Sequence, residues 1–447
     1  MRQAWFRRAS RSKMCCNKFF NRALALALVA TLVTACGGGG EPAPAPVDVA
    51  GTPALNDLPP VPAVKNEVPV YVDAGPADTD YNVNRLYTDV TICHPGMSSP
   101  GSPTQCQTID HVLVDTGSTG LRLLSSVMAP GLNLSRLSGT GVSPLLNCAQ
   151  FVDLSFAWGP VVTADIVLGG KTAKSVPIQV IADPDPSLSS PPAACSVGGT
   201  AITTAKILGA NGVLGLGLSK EDCGASCENI SNYGFYYTCT DPTCAAITGV
   251  KTSRDKQVKN PVPLFLTDNN GVQIALPEVT APGIPTRDGT LTFGIGTQSP
   301  AAVTVLTTNS FGYVTTVLTG QNLPDFSRSF IDSGSNGLFF DSTIPTCTGT
   351  TVSDFYCPST RLDLSARLVG ANGASSPSLL FSIGNATDLF ASRTNAELNH
   401  VFPTLAGNLP GQPTTFDWGL PFFYGRRVSF GIEGQPSSLG IGPFYAF

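Results

Sequence analysis

Val112-Leu113-Val114-Asp115-Thr116-Gly117-Ser118 and Ser329-Phe330-Ile331-Asp332-Ser333-Gly334-Ser335 are the stretches whose reading decides the fold. Each is an apolar run ending in Asp, Thr or Ser, then Gly-Ser. Each is followed by a second apolar run, Leu121-Arg122-Leu123-Leu124 or Leu338-Phe339-Phe340. One such turn is ordinary, because Asp accepts turn amides and Gly takes positive φ. Two copies, one in each half of the chain, point to two carboxylates brought face to face. Like charges in contact cannot both ionise, so such a pair shares a proton and serves as acid and base together.

Composition agrees with a strand-rich chain. Only 13% of the 447 residues are charged, whereas Gly (46) and Pro (37) are abundant, which fits many short strands joined by tight turns. Alternating apolar segments at residues 109–114, 151–156, 161–168, 176–181 and 290–293 read as strands, and helical signals are short, notably at 420–424. The net charge of −5, with no Lys/Arg cluster beyond the N-terminus, excludes a nucleic-acid surface as the expected partner. His94, His111 and His400 lack metal-ligand spacing, and neither a Gly-x-Ser-x-Gly elbow nor a phosphate loop occurs. Neither metal nor cofactor is expected.

The N-terminus reads as an export signal over residues 1–35: Arg7, Arg8, Arg11, Lys13, Lys18 and Arg22 precede an apolar run at 23–33 that is short for a membrane span. Val33-Thr34-Ala35-Cys36 resembles a bacterial lipobox, which implies acylation of Cys36 and a lipid anchor. Plain secretory cleavage is the rival. Gly37 after the Cys resembles lipoproteins sent to the outer membrane, so the expected location is the cell envelope. Residues 36–66 then form a Gly/Pro/Ala-rich tether.

Ten cysteines remain after Cys15, Cys16 and Cys36, an even number that suits an oxidising compartment. Near neighbours pair Cys93 with Cys106 and Cys347 with Cys357. Cys223, Cys227, Cys239 and Cys244 make two more bridges within one loop, and Cys148 with Cys195 is left over. Zinc is the rival reading for the loop of four. Tyr233, Phe235, Tyr236 and Tyr237 in that loop form either a recognition insertion or the interior of a stapled surface loop.

Taken together, these motifs resemble the pepsin-type aspartic proteases from about Tyr87 to Phe447. The resemblance implies an all-β, bilobal double-barrel fold, with an N-terminal lobe at 67–295 and a C-terminal lobe at 296–447. In that family a strand ending in two apolar residues and Gly crosses each Asp loop. Val213-Leu214-Gly215 and Trp418-Gly419 resemble those elements. Pro263-Leu264-Phe265-Leu266 with Gly289-Thr290-Leu291-Thr292-Phe293-Gly294 resembles the crossover hairpin, and Val428-Ser429-Phe430-Gly431-Ile432 the closing strand. By position, Asp115 and Asp332 are the implied catalytic dyad. Thr116 and Ser333 would link the loops, Ser118 and Ser335 would bond the outer carboxylate oxygens, and Gly117 and Gly334 would allow close backbone approach. Asp417 reads as a structural acid at the crossing rather than a third catalyst.

Two positions depart from the family pattern. The flap that closes over substrate corresponds to residues 156–165, which look short and carry Trp158-Gly159 in place of a Tyr. The residue that partners the flap is Arg122 instead of Trp. Either Arg122 stacks on Trp158, a cation–π contact of about 0.5–2 kcal/mol, or Trp158 covers a hydrophobic edge. The expected activity is endopeptidase action on a polypeptide by a monomer. The alternative is a non-catalytic envelope lipoprotein that binds a polymer in the cleft.

Overall fold

The computed structural model describes residues 66–447 except 78, 98–104, 242, 297–302, 321–322, 350–351 and 392–397. The signal, the tether and Cys36 lie outside the described residues. Strand dominates what is described, and Ala386–Ala391 is typical of the short helices.

Period-two patterning builds the half-buried strands. Glu67–Val72 buries Val68, Val70 and Val72, and Val314–Leu318 buries every second residue. The strands nearest the site differ. Thr119–Leu124 and Gly212–Leu216 are buried at every position, as expected of parallel-paired strands covered on both faces. A two-residue Gly169-Gly170 turn, both at positive φ, joins Phe156–Leu168 to Lys171–Ile181 and sets their antiparallel register.

The strands form a 16-stranded sheet and a 7-stranded sheet, with a small two-stranded ribbon. The larger sheet holds the N-terminal lobe. It continues through an antiparallel run of Glu67–Val72, Arg287–Phe293, Gly271–Leu276, Arg426–Gly431 and Phe444–Ala446, so strands from both ends of the described chain share one sheet. The 7-stranded sheet holds the second Asp strand and its crossing partner. The fold is all-β, built on these two large sheets. Its C-terminal core is an aromatic stack, with Phe340 4.5 Å from Phe416 and Phe416 4.3 Å from Trp418 between ring centroids.

Two strand expectations are corrected. Residues 151–155 form the turn between Ser143–Gln150 and Phe156–Leu168, because the Asp153 carboxylate accepts both the Ser155 N–H (2.9 Å) and its hydroxyl (2.6 Å). The crossover hairpin pairs Arg287–Phe293 with Gly271–Leu276 instead of residues 263–266. Pro261 and Pro263 lack ladder donors, and Val262–Leu264 turns as a 3₁₀ segment. The expected helical signal at 420–424 is likewise a 3₁₀ turn, Leu420–Phe422.

Among the described residues five disulfides form: Cys93–Cys106, Cys148–Cys195, Cys223–Cys227, Cys239–Cys244 and Cys347–Cys357. The loop of four pairs within its two short spacings, which removes the zinc reading. No helix among the described residues is long and apolar enough to cross a membrane.

Candidate active site

Both Asp loops are made by the same threading. Strand Cys106–Asp115 runs parallel to Gly212–Leu216 with Asp115 opposite Gly215. The chain then turns at Thr116-Gly117-Ser118 and returns antiparallel on the other side of that strand as Thr119–Leu124. In the second lobe Phe326–Ile331 runs parallel to Phe416–Trp418 and Leu338–Phe340 returns antiparallel to it. Each loop is therefore pierced by a strand whose glycine admits the crossing. A Cβ at Gly215 would sit 2.6 Å from the Thr119 backbone, and one at Gly419 would sit 2.2 Å from the Gly337 carbonyl oxygen.

The two turns meet tip to tip. The Ser333 N–H donates to Thr116 Oγ1 (2.9 Å) and the Thr116 N–H to Ser333 Oγ (3.2 Å). The hydroxyls go on to the opposite lobe's backbone, Ser333 Oγ to the Val114 carbonyl (2.7 Å) and Thr116 Oγ1 to that of Ile331 (3.4 Å). This reciprocal lock sets the spacing of the carboxylates. The Gly117 N–H donates to Asp115 Oδ1 (2.9 Å) and to Asp332 Oδ1 (3.0 Å), so one backbone donor spans the pair. The Gly334 N–H adds a bond to Asp332 Oδ1 (2.8 Å). A Cβ at Gly117 would lie 2.5 Å from Asp332 Cγ, and one at Gly334 would lie 2.6 Å from Asp115 Oδ1. Only glycine fits either place.

The outer oxygens are held by serines. Ser118 Oγ donates to Asp115 Oδ2 (2.5 Å), and Ser335 Oγ lies 2.9 Å from Asp332 Oδ2. Both carboxylates are buried, 4% and 2% exposed. Burial, and then the charge of Asp332 beside it, pushes the Asp115 carboxyl well above the usual carboxylate range; Ser118 and the Gly117 N–H oppose the shift without cancelling it. The Gly117 N–H, the Gly334 N–H and Ser335 Oγ lie against Asp332, and the Gly117 N–H and Ser118 Oγ against Asp115.

A cavity of about 110 Å³ opens beside the dyad, lined by Thr116, Gly117 and Ser118 from one lobe and by Phe311, Tyr313 and Tyr445 from the other part of the chain. The sequence reading missed this wall. Its signal was an Asn-x-Phe-Gly-Tyr turn at 309–313, in which Asn309 Oδ1 accepts the Phe311 and Tyr313 N–H groups (2.9 and 3.1 Å). Nothing in the linear order ties that turn to Gly117.

The flap expectation is corrected. Trp158 and Gly159 lie within strand Phe156–Leu168, near its start, opposite Cys148 and Asn147. The Trp158 indole N–H donates to the Leu188 carbonyl (2.7 Å), its ring meets Tyr237 edge-on at 5.6 Å, and a Cβ on Gly159 would overlap the Val180 carbonyl oxygen. Arg122 does not stack on Trp158. Its guanidinium is buried (3% exposed) and donates to Asn147 Oδ1 (2.7 Å), Gln179 Oε1 (2.9 Å), the Thr119 carbonyl (3.4 Å) and Asp222 Oδ2 (3.0 Å). A buried charge takes carboxylate and carbonyl partners ahead of a ring face, because only they replace its lost hydration. Tyr236, expected in a loop, lies in strand Tyr236–Cys239, and its hydroxyl completes the cluster at Asp222 Oδ1 (2.5 Å).

Residues 62–447 match the family described as "Protein of unknown function (DUF3443)", and the chain belongs to that family. No curated protein matches it. Among solved structures, the aspartic proteinase from Irpex lacteus is similar at 14% identity and a TM-score of 0.45, over 85% of this chain and 96% of that one.

Proposed function

We propose that this member of the family is an aspartic endopeptidase. Asp332, as the charged carboxylate, takes a proton from a water held between the loops. Asp115, as the protonated partner, donates to the oxygen of the scissile carbonyl. The water oxygen attacks the carbonyl carbon, and a proton returned to the amine nitrogen lets the C–N bond break without a covalent intermediate. The observation that carries this reading is the Gly117 N–H shared by both carboxylates, because it requires the two acids to lie against one another at a buried point. The raised Asp115 carboxyl supports its role as the acid, and the window of activity closes on the alkaline side as that proton is lost.

Cys36 would carry a lipid that tethers the protease to the cell envelope, on the strength of Val33-Thr34-Ala35-Cys36. Incorporation of labelled palmitate, lost in Cys36→Ser, tests that separately. The enzymatic reading is tested by peptide-library cleavage from acidic to neutral pH, for wild type, Asp115→Asn and Asp332→Asn, with and without pepstatin. Wild-type cleavage removed by either substitution is the expected result. Peptide binding without turnover in all three proteins sinks it in favour of a binding lipoprotein.

A further inference from the structure

The second Asp loop holds a third acid that the dyad chemistry leaves unused. Asp417 is buried, 2% exposed, on the strand that pierces the loop. Its Oδ2 lies 2.7 Å from Ser335 Oγ, and the same Oγ lies 2.9 Å from Asp332 Oδ2. The equivalent position in the first lobe is Val213: Leu113 pairs with Val213 two residues before Asp115, as Phe330 pairs with Asp417 two residues before Asp332.

A serine hydroxyl has one proton. It can donate to one carboxylate oxygen, and its lone pairs can accept from another group that has a proton to give. With both acids ionised, one Oγ–carboxylate contact would be two acceptors facing each other at 2.7 or 2.9 Å in a buried site, a repulsive arrangement. With one proton on either acid, the chain closes in a single direction. The elements packed around Asp417 bring the following groups. Tyr445, whose hydroxyl feels Asp332 and Asp417 together, is itself pushed far up by burial. Arg328, on the strand paired with Asp417, sits over the Tyr313 ring at 5.6 Å. The residues of the opposite strand, Leu338–Phe340, carry no titratable group.

We propose that Asp417 is a positioning residue for the dyad: it holds a proton, donates it as a hydrogen bond to Ser335 Oγ, and so turns the serine's own proton onto Asp332 Oδ2. The inference deepens the protease reading and rests on it for its consequence in catalysis, while its chemistry can be read without turnover. The resident proton on Asp417 biases the pair, because Asp332 then receives its outer hydrogen bond in every working molecule and remains the acceptor for the water proton. Should Asp417 lose that proton, Ser335 would swing to it, and Asp332 would face a second negative charge with one donor fewer. No net transfer occurs in the working state; each proton stays on its own oxygen.

The test counts protonated carboxyl groups in the folded protein at neutral pH, by carboxyl-carbon NMR of Asp-labelled protein or by the infrared band of the protonated acid. Wild type should show two such groups, Asp115→Asn one and Asp417→Asn one. The asparagine amide can still donate to Ser335, so where cleavage is measurable the acid limb of the pH–rate profile should stay in place in Asp417→Asn. A wild-type count unchanged by Asp417→Asn overturns the proposal, as does an acid limb that moves to lower pH, since either means Asp417 was ionised. If Asp417→Asn does not fold, Ser335→Ala serves instead. The Asp417 carboxyl then loses its link, so its titration must become independent of the Asp332→Asn change, whereas in wild type the two shift together; independence in both proteins overturns the proposal. Should the protease reading fail, cleavage is absent while the proton count stands. Should this inference fail, Asp417→Asn leaves the count unchanged while cleavage stands.

Discussion

The two Asp loops are copies in backbone and opposites in their surroundings. Both turns are pierced by a strand with a glycine at or just past the crossing, and both carry a serine on the outer carboxylate oxygen. Seven residues after the Asp, however, the first lobe buries Arg122 and the second Phe339. Where the crossing strand of the first lobe has Val213, that of the second has Asp417. The first lobe thus surrounds its loop with an ion-pair cluster set behind it, while the second packs a stack of rings and places one acid directly against Ser335. Duplicated backbone geometry fixes where two carboxylates meet; the non-equivalent neighbours decide which of them holds the proton.

The largest test of that comparison is chemical. Asp115→Asn and Asp332→Asn should each lower cleavage by about 10²–10⁴-fold, measured as kcat on the best library peptide. A substantial residual rate in either variant would mean that one lobe does the chemistry alone.

Next come the two unlike supports. Arg122→Ala should cost about 3–5 kcal/mol of stability, because it strips a buried partner from Asp222. Phe339→Ala should cost about 3–5 kcal/mol through lost packing against Phe355. Urea unfolding at several pH values separates them. Burial already raises the Asp222 carboxyl against the pull of Arg122, so without the guanidinium it protonates readily and the Arg122→Ala loss shrinks as pH falls. The Phe339→Ala loss should not change with pH. Equal pH dependence would erase the distinction between an ionic and an aromatic support.

The hairpin expected to be a mobile flap is stapled, and that too separates the lobes. Cys148–Cys195 closes a 47-residue separation, so replacing both with Ala should cost about 3–4 kcal/mol in thermal or urea unfolding. Gln150 reinforces the staple through its amide bonds to the Ala194 and Cys195 carbonyls (3.1 and 2.6 Å). A negligible effect would show that these bonds hold the hairpin unaided.

The smallest effect concerns pH. Asp115 binds its proton more tightly folded than unfolded, so its contribution is complete below the unfolded carboxylate range near pH ~4. It is lost as pH rises towards the raised folded value, because the unfolded chain gives up the proton first. Asp115→Asn removes this term. The stability of that variant relative to wild type should therefore increase from pH 4 towards neutrality, read as the difference between urea midpoints. A flat difference would place the shared proton elsewhere.

Some of this was legible in residue order. Apolar strand, Asp-Thr/Ser-Gly-Ser, apolar strand is a local pattern, and its duplication required two equivalent loops; Gly215 and Gly419 follow because a crossing strand leaves no room for Cβ. Short cysteine spacings such as Cys223–Cys227 and Cys239–Cys244 were readable for the same local reason. Other features depended on partners distant in the chain. Arg122 was read against Trp158 because both occupied family positions. Its actual neighbours, Asn147, Gln179 and Asp222, converge from three separate segments, and the desolvation of a buried guanidinium selects them. Residues 156–165 read as a hairpin tip but form strand, because the turn lies before them and Asp153 closes it through its own side chain. Asp417 was visible as an acid, but its distance to Ser335 was not. Local sequence determined the two turns and the carboxylates they present. Tertiary packing alone decided the distribution of protons and charges around them, because hydrogen bonding and desolvation depend on which atoms are within 3 Å, and those atoms come from every part of the chain.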